Sequence, residues 1–285
     1  MLRAVRFAAR LGFTIEPQTL EAIRHHAPSV ARISAERIRD ELVRILTEGG
    51  ARRGLELLDT CQLLDHILPE VKNFQGVAQP PEFHPEGDVW THVLIMLGYL
   101  RNPTPALALG VLLHDVGKPP TLSISDRIRF NGHAEVGAAM ARQILSRLKF
   151  PNEEVARVTA LVAHHMRFKD VQQMRLSTLK RFLSLEHFDE HLELHRLDCL
   201  SSNGYTAAYD FVCQKLLEFD KEQLRPNPLL TGRDLIEAGY TPGPAFRPAL
   251  EAAENAQLEG QIRTREQALA IARSLLDQPA AKSVS

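Results

Sequence analysis

Residues 109–120 read LGVLLHDVGKPP. The apolar run Leu109–Leu113 has helical character and leads straight into His114 and Asp115. A Val116-Gly117 turn, Lys118 and two prolines follow. Adjacent positions on a helix point about 100° apart, so a neighbouring imidazole and carboxylate share one task only near a helix end. Two such groups at the end of an apolar helix are costly to bury unpaired. A metal ion removes that cost.

Outward from this stretch, the residues able to join such a centre are His92, then His133, then His164-His165, then Asp198. The gaps are roughly 20 to 35 residues, about the chain consumed by one helix and its loop. Each candidate therefore falls on or beside a different element, and a bundle can aim one side chain per helix at a common centre. Imidazole with carboxylate suits a hydrolytic divalent ion. His133, in NGHAEVGA, also reads as a residue that simply caps a helix. The choice between His164 and His165 stays open. His187, His191 and His195, spaced by four on the face of Asp198, read as a solvated stripe in preference to a second ligand row. His84, in EFHPEGD, reads either as a lining of the site mouth or as a plain loop histidine.

The rest of the pattern is helical. Helices are expected over 1–11, from Pro17 to Pro28, from Ser34 to Gly49-Gly50, and over 52–60. Further ones are expected over roughly 88–101, 105–116, 134–149, 152–166, 176–184, 187–201, 205–222, 247–259 and 264–277. One interruption, TLSISDRIRFN, alternates in the manner of a small hairpin over 121–130. The Pro- and Gly-rich stretches 71–87 and 225–245 read as boundaries. Thr231 with Asp234 resembles a capping box.

Composition sets limits. Net charge is −1 over 285 residues, so global charge points to neither nucleic acid nor membrane. Three scattered cysteines outside any CxxC pair fit reduced thiols in a cytoplasm. No secretory or membrane-spanning segment is legible. Locally, residues 1–53 hold ten arginines against six acidic residues. Arg3, Arg6 and Arg10 fall on one helical face, which reads as a solvated stripe or as a surface for phosphates.

The order His92, His114-Asp115, Asp198, with HDVGKP after an apolar helix, resembles the HD superfamily of metal-dependent phosphohydrolases. That resemblance implies four metal ligands at these positions and a second-metal set from His133 with His164 or His165. It also implies that Lys118 faces substrate phosphate, beside Asp115 in the catalytic centre. The cofactor implied is one or two divalent ions of Mn, Ni, Fe, Co, Mg or Zn. The substrate implied is a phosphomonoester or phosphodiester, such as a nucleotide, a cyclic phosphate or an RNA end.

A larger resemblance runs nearly end to end. MLRAVRFAARLGF, ISAERIRDELVRIL and LLDHILPEV are similar to the neck of the bacterial class II tRNA nucleotidyltransferase and poly(A) polymerase family. TGRDLIEAGYTPGPAF and LEGQIRTREQAL are similar to its tail. The family's head, with its glycine-serine turn and DxD pair, has no counterpart in the sequence, and its base-reading EDxxR would fall before Met1. CCA or A addition is therefore not expected of the chain as written.

These readings give an all-α, elongated, neck-body-tail architecture with a central HD-type domain. The divisions expected are a neck over 1–72, an HD domain over 82–222, a helical tail domain over 226–277 and a disordered end over 278–285. Two functions are open: a metal-dependent phosphohydrolase in a tRNA-processing context, or a non-catalytic tRNA-binding body of a truncated or split enzyme. The partners implied are tRNA or an RNA 3′ end, contacted through Arg3, Arg6 and Arg10, and a separately encoded nucleotidyltransferase head.

Overall fold

The computed structural model describes residues 1–277; the end expected to be disordered, 278–285, lies outside them. The chain opens with α1 (Leu2–Leu11), stopped by Gly12 in the left-handed conformation. Helix α2 (Pro17–His26) starts on a proline, and Glu16 caps it by accepting from the Gln18 and Thr19 amides. Pro28 falls inside a 3₁₀ segment, Ala27–Arg32, that ends this run. Then come α3 (Ala35–Thr47), α4 (Ala51–Thr60) and the single turns α5 (Leu64–Ile67) and α6 (Pro69–Lys72). Gly50 is required between α3 and α4. Its φ is +78°, and a Cβ there would lie 2.5 Å from the Ala9 carbonyl oxygen of α1.

Two apolar helices follow. Helix α7 (Val89–Tyr99) is capped by Asp88, which accepts from the Thr91 amide. Helix α8 (Pro105–Leu113) is capped by the Thr104 hydroxyl at the Leu107 amide, with Pro105 at its first position. Every residue of α8 from Ala106 to Leu113 is buried, as an apolar helix without a polar face must be. Gly110 lets it approach the later helix that carries Leu161: a Cβ there would meet Leu161 Cδ1 at 2.8 Å. The helix expected over 105–116 ends at Leu113. His114 and Asp115 sit in the turn after it, closed by Val116 N–H to Leu113 O and Lys118 N–H to Asp115 O.

After the short α9 (Lys118–Thr121), β1 (Leu122–Ile124) and β2 (Ile128–Phe130) form the expected antiparallel hairpin, pairing Leu122 with Phe130. Helices α10 (His133–Arg147) and α11 (Asn152–His164) come next, followed by a 3₁₀ segment, His165–Gln173. Then follow α12 (Leu176–Leu183) and α13 (Phe188–Ser201). The helix expected over 205–222 is two pieces, α14 (Ala207–Glu218) and α15 (Lys221–Leu224). The chain closes with α16 (Gly232–Glu237), α17 (Phe246–Leu258) and α18 (Arg265–Leu276). Among the described residues the fold is all-α but for one hairpin. No helix among the described residues is long and apolar enough to cross a membrane.

The chain divides into two compact units. The first joins Met1–Lys169 with Asp189–Tyr209. One apolar core runs through it from Leu2 to Leu197. The stretch 71–87, read as a boundary, therefore divides no core: Val71, Phe74 and Val77 are buried in this same cluster. Proline and glycine mark irregular backbone, and irregular backbone can cross a core as readily as it can link two. The second unit joins Asp170–Phe188 with the described residues from Asp210. It has its own core, built on Leu235, Ala249, Ala253, Ala268 and Ala272. Within it, Ser177 donates to Glu259 and Lys180 to the Leu258 carbonyl, tying α12 to the end of α17. Capping boxes at Thr231/Asp234 and Thr264/Gln267 start α16 and α18.

Candidate metal centre

The first unit brings His92, His114, Asp115, His133, His165 and Asp198 to one place. Nε2 of His92 lies 3.1 Å from Oδ1 of Asp198, and Nε2 of His114 lies 3.1 Å from Oδ2 of Asp115. Nε2 of His133 and of His165 lie 3.7 and 3.8 Å from Oδ1 of Asp115, and 3.2 Å from each other. The His92 and His114 rings stand 5.4 Å apart, as do those of His114 and His165. His92, His114 and Asp115 are almost completely buried, whereas the Asp198 side chain is 30% exposed and opens the cluster to solvent.

The backbone explains the convergence. His133 is the first residue of α10, and the turn bearing Gly117 packs directly on that helix end. A Cβ on Gly117 would lie 2.1 Å from His133 O and 2.6 Å from Gly137 N. Gly132, left-handed at φ +72°, turns the chain from β2 into α10. His164 and His165 part company because α11 ends between them. His165 enters the centre, while His164 is half-buried with its ring 5.9 Å from that of His191. The open choice resolves geometrically to His165.

The hydrogen bonds at the far side of each ring set its chemistry. Nδ1 of His114, His133 and His165 faces the carbonyls of Val111, Phe130 and Val162 at 3.0, 2.8 and 2.7 Å. A carbonyl only accepts, so each Nδ1 carries a proton, and in the neutral His133 and His165 rings Nε2 turns a lone pair inward. Burial, and after it the neighbouring His114, pushes His165 down to about 3. Burial also lowers His133. Two neutral rings thus oppose lone pairs at 3.2 Å, an arrangement that a shared cation relieves. His92 Nε2, His114 Nε2 and Asp115 Oδ2 are buried without an aligned hydrogen bond, close as their neighbours are. The carboxylates are held ionised. Burial opposes the charge on Asp115, but His114 and Lys118 outweigh it and keep it well below the usual range. Asp198 is lowered too, where the bond with His92 overcomes burial. His92 shows the same demand for positive charge: burial works against it, yet Asp198 and Glu86 lift it to about 9. A divalent ion can take that proton's place. His92, His114 and Asp115 could hold one ion, with Asp198 3.1 Å from His92 beside them, and Asp115, His133 and His165 a second.

Lys118 lies inside the centre, beside Asp115. Its ammonium is buried 2.8 Å from Asp115 Oδ2 and 2.5 Å from Gln79 Oε1, over the Phe130 ring. Arg6 is not part of an exposed stripe. It is buried, with Nε 2.8 Å from Glu41 and Nη1 3.2 Å from Glu48. The α1–α3 packing places the carboxylates of α3 against the face that carries it. Arg3 stays 73% exposed, and Arg10 is 50% exposed with an ion pair to Glu48. His191 is buried and His195 stacks on Phe168 at 4.2 Å, so neither belongs to a solvated row. Three residues went unnoticed in the sequence. Gln79 holds Lys118, Glu86 accepts from His84 and His92, and Ser201 Oγ lies 3.4 Å from His92 Nδ1. Asp88 and the pair Gly76/Asp88 anchor the loop that carries the first two, and only PEGD beside HPE hinted at carboxylates there.

A helical frame that gathers His, His-Asp and Asp in this order is that of an HD domain, and residues 89–193 match the family described as "HD domain". Residues 12–75 match "Probable RNA and SrmB- binding site of polymerase A". The chain is 36% identical over 291 residues to the A-adding tRNA nucleotidyltransferase of Deinococcus radiodurans, covering 94% of this chain and 66% of that protein. It is also 36% identical over 284 residues to the CC-adding tRNA nucleotidyltransferase of Thermus thermophilus, covering 94% and 64%. A solved Bacillus stearothermophilus CCA-adding enzyme in complex with CTP shares the fold at a TM-score of 0.62 and 20% identity, over 96% of this chain and 60% of that one. The chain therefore belongs to the CCA-adding tRNA nucleotidyltransferase and poly(A) polymerase family, as an HD-containing portion of it. It spans 66% and 64% of the length of its two relatives above.

Proposed function

We propose that the first unit is a metal-dependent phosphohydrolase of the HD type, acting on a phosphodiester or phosphomonoester of a nucleotide or RNA end. One observation carries this reading: three imidazoles anchored at Nδ1 by backbone carbonyls and two ionised carboxylates converge around His114-Asp115, with His92 Nε2 and His114 Nε2 buried without an aligned hydrogen bond. Vestigial sites lose such groups; here the whole set is present. His92, His114, Asp115 and Asp198 would hold one divalent ion, with Asp115, His133 and His165 available to a second. Bound there, the ion would supply Lewis acidity toward a phosphoryl oxygen and acidify a water. Asp115 belongs to both sets and fixes their spacing. Lys118 neutralises Asp115 from the protein side and fixes its orientation through Gln79. The partly exposed Asp198 leaves the open edge where a phosphate can enter.

The surroundings support a tRNA-processing context: the RNA-binding match over 12–75 and relatives that carry tRNA in their names. We assign the neck (1–72) and tail (226–277) to RNA contact, with Arg3 and Arg10 rather than Arg6 available to phosphates. The HD domain would take in residues 82–222, in a cytoplasmic protein.

The test uses purified chain loaded with Mn, Ni, Co or Mg and offered 2′,3′-cyclic AMP or an aryl phosphodiester. Turnover that needs metal and disappears in His114→Ala and Asp115→Ala establishes the hydrolase. A folded protein inert with every metal refutes it and leaves the RNA-binding body.

A further inference from the structure

The loop between Val77 and Val89 carries a carboxylate that no motif announces. Its ends are pinned: Ala78 bridges Asp88, Val89 N–H reaches the Val77 carbonyl, and Asp88 accepts from Gly76. Inside the loop, Glu86 is 7% exposed in its side chain. Its Oε1 lies 2.7 Å from Nδ1 of His92 and 2.9 Å from Nδ1 of His84. Two imidazole N–H groups thus share one carboxylate oxygen. The other oxygen, Oε2, is buried without a hydrogen bond. The His84 ring stands edge-on to His92, centroids 5.0 Å apart.

Three of the four histidines in the centre have Nδ1 fixed by a backbone carbonyl of their own or the preceding turn. His92 is the exception. It sits within α7, where the carbonyls one turn back are already engaged by the helix, so its orientation must come from elsewhere. Glu86 is the group in place. We propose that Glu86 is the positioning residue of the centre: it fixes the His92 tautomer and ring plane so that Nε2 points at the metal, and it raises the basicity of that ligand. His84 is Glu86's second partner; it steadies the carboxylate and covers its outer side, 16% exposed in its own side chain, without itself ligating. The proposal rests on the phosphohydrolase reading for the metal's identity as cofactor, but not for its binding.

Titration of the full chain with Co(II), read by the visible spectrum and by competition with a chelating dye, tests it. Glu86→Ala should weaken metal affinity roughly 10- to 100-fold and shift the Co(II) bands, because a reoriented His92 changes the ligand geometry. Glu86→Gln keeps an acceptor oxygen and should recover most of that loss together with the wild-type bands, a rescue that a merely structural role would not show. His84→Ala should leave affinity within about threefold. Thermal melts of the metal-free variants identify any that fail to fold, and Glu86→Gln then serves alone. Wild-type affinity and spectrum in Glu86→Ala overturn the proposal. So does a loss in His84→Ala equal to that in His92→Ala, which would make His84 a ligand. A wild-type chain that binds no Co(II) overturns this inference and the phosphohydrolase together; binding without turnover overturns only the latter.

Discussion

Gly117 is the position where one methyl group should do the most damage. A Cβ there meets backbone, not flexible side-chain ends: His133 O at 2.1 Å, Gly137 N at 2.6 Å and Gly137 Cα at 3.0 Å. Ordinary contact needs well over 3 Å, so Gly117→Ala must push the start of α10 away by roughly 1 Å, at a cost of about 1–3 kcal/mol for overpacking. The displaced residue is His133, whose Nε2 stands 3.2 Å from His165 and 3.7 Å from Asp115. A shift of that size removes it from any common ligand sphere. Gly137→Ala is the matched control. Its Cβ would sit 3.2 Å from Gly117 N and 3.3 Å from Val162 Cγ1, tight but tolerable with a few tenths of an ångström of adjustment. Urea denaturation of the metal-free proteins should therefore rank wild type above Gly137→Ala above Gly117→Ala. Metal titration should show Gly117→Ala weakened roughly tenfold or more for the ion near His133. Should Gly117→Ala match wild type in both assays, or Gly137→Ala be the more damaged, the close approach of this turn to α10 is not what positions the histidine.

Other outcomes follow from the same geometry. His165→Ala should lower metal stoichiometry or affinity in a dye-competition titration, whereas His164→Ala, half-buried outside the cluster, should leave both unchanged. Arg6→Ala should lower stability by about 2 kcal/mol in urea melts, since it removes the buried partner of Glu41 and leaves Glu48 only Arg10; Arg3→Ala should leave the melt alone and lower RNA affinity in filter binding. Glu70 is buried enough to resist ionisation, but Arg147 grips both its oxygens, at 2.6 and 2.9 Å, and its pKa ends below the usual value. A lowered folded pKa stabilises above the unfolded value, about 4.3, and the contribution fades as pH falls through the folded value. The pair is partly exposed, so Glu70→Gln should cost only a few tenths of a kcal/mol near neutrality, and the gap to wild type should close in melts at acid pH.

Much of this was legible because helices announce themselves locally. The Thr104-Pro105 start, the unbroken apolar run of α8 and the turn at Gly117 are all set by residues within a few positions of one another. The order of His92, His114-Asp115 and Asp198 could be read for the same reason: each sits where its own helix begins or ends. Arg6 could not be placed this way. Its fate depends on Glu41 and Glu48, 35 and 42 residues away, and a helical wheel of α1 alone shows an arginine stripe beside an apolar face with nothing to say that one member turns inward. His164 and His165 differ only in which lies beyond the end of α11, and helix ends are set to within a residue or two by tertiary contacts.

The loop from Val77 to Val89 carries a more general lesson about where the site's support comes from. Its prolines and glycines gave it the look of a linker, and a linker is where functional residues are least expected in a bundle. Yet a metal centre built wholly on helices has a difficulty: a histidine inside a helix, even in its first turn, has no spare carbonyl to fix its outer nitrogen. The candidate ligands His114, His133 and His165, each at a helix end, solve this with backbone. His92 cannot, and irregular chain laid across the helix start is what can bring a carboxylate to it. The same loop brings Gln79 to Lys118, so the two helical groups that lack a local backbone partner are both held from this one segment. Helices and their ends carry the candidate ligands; the irregular segment between the neck helices and α7 determines how two of the polar groups among them are aimed.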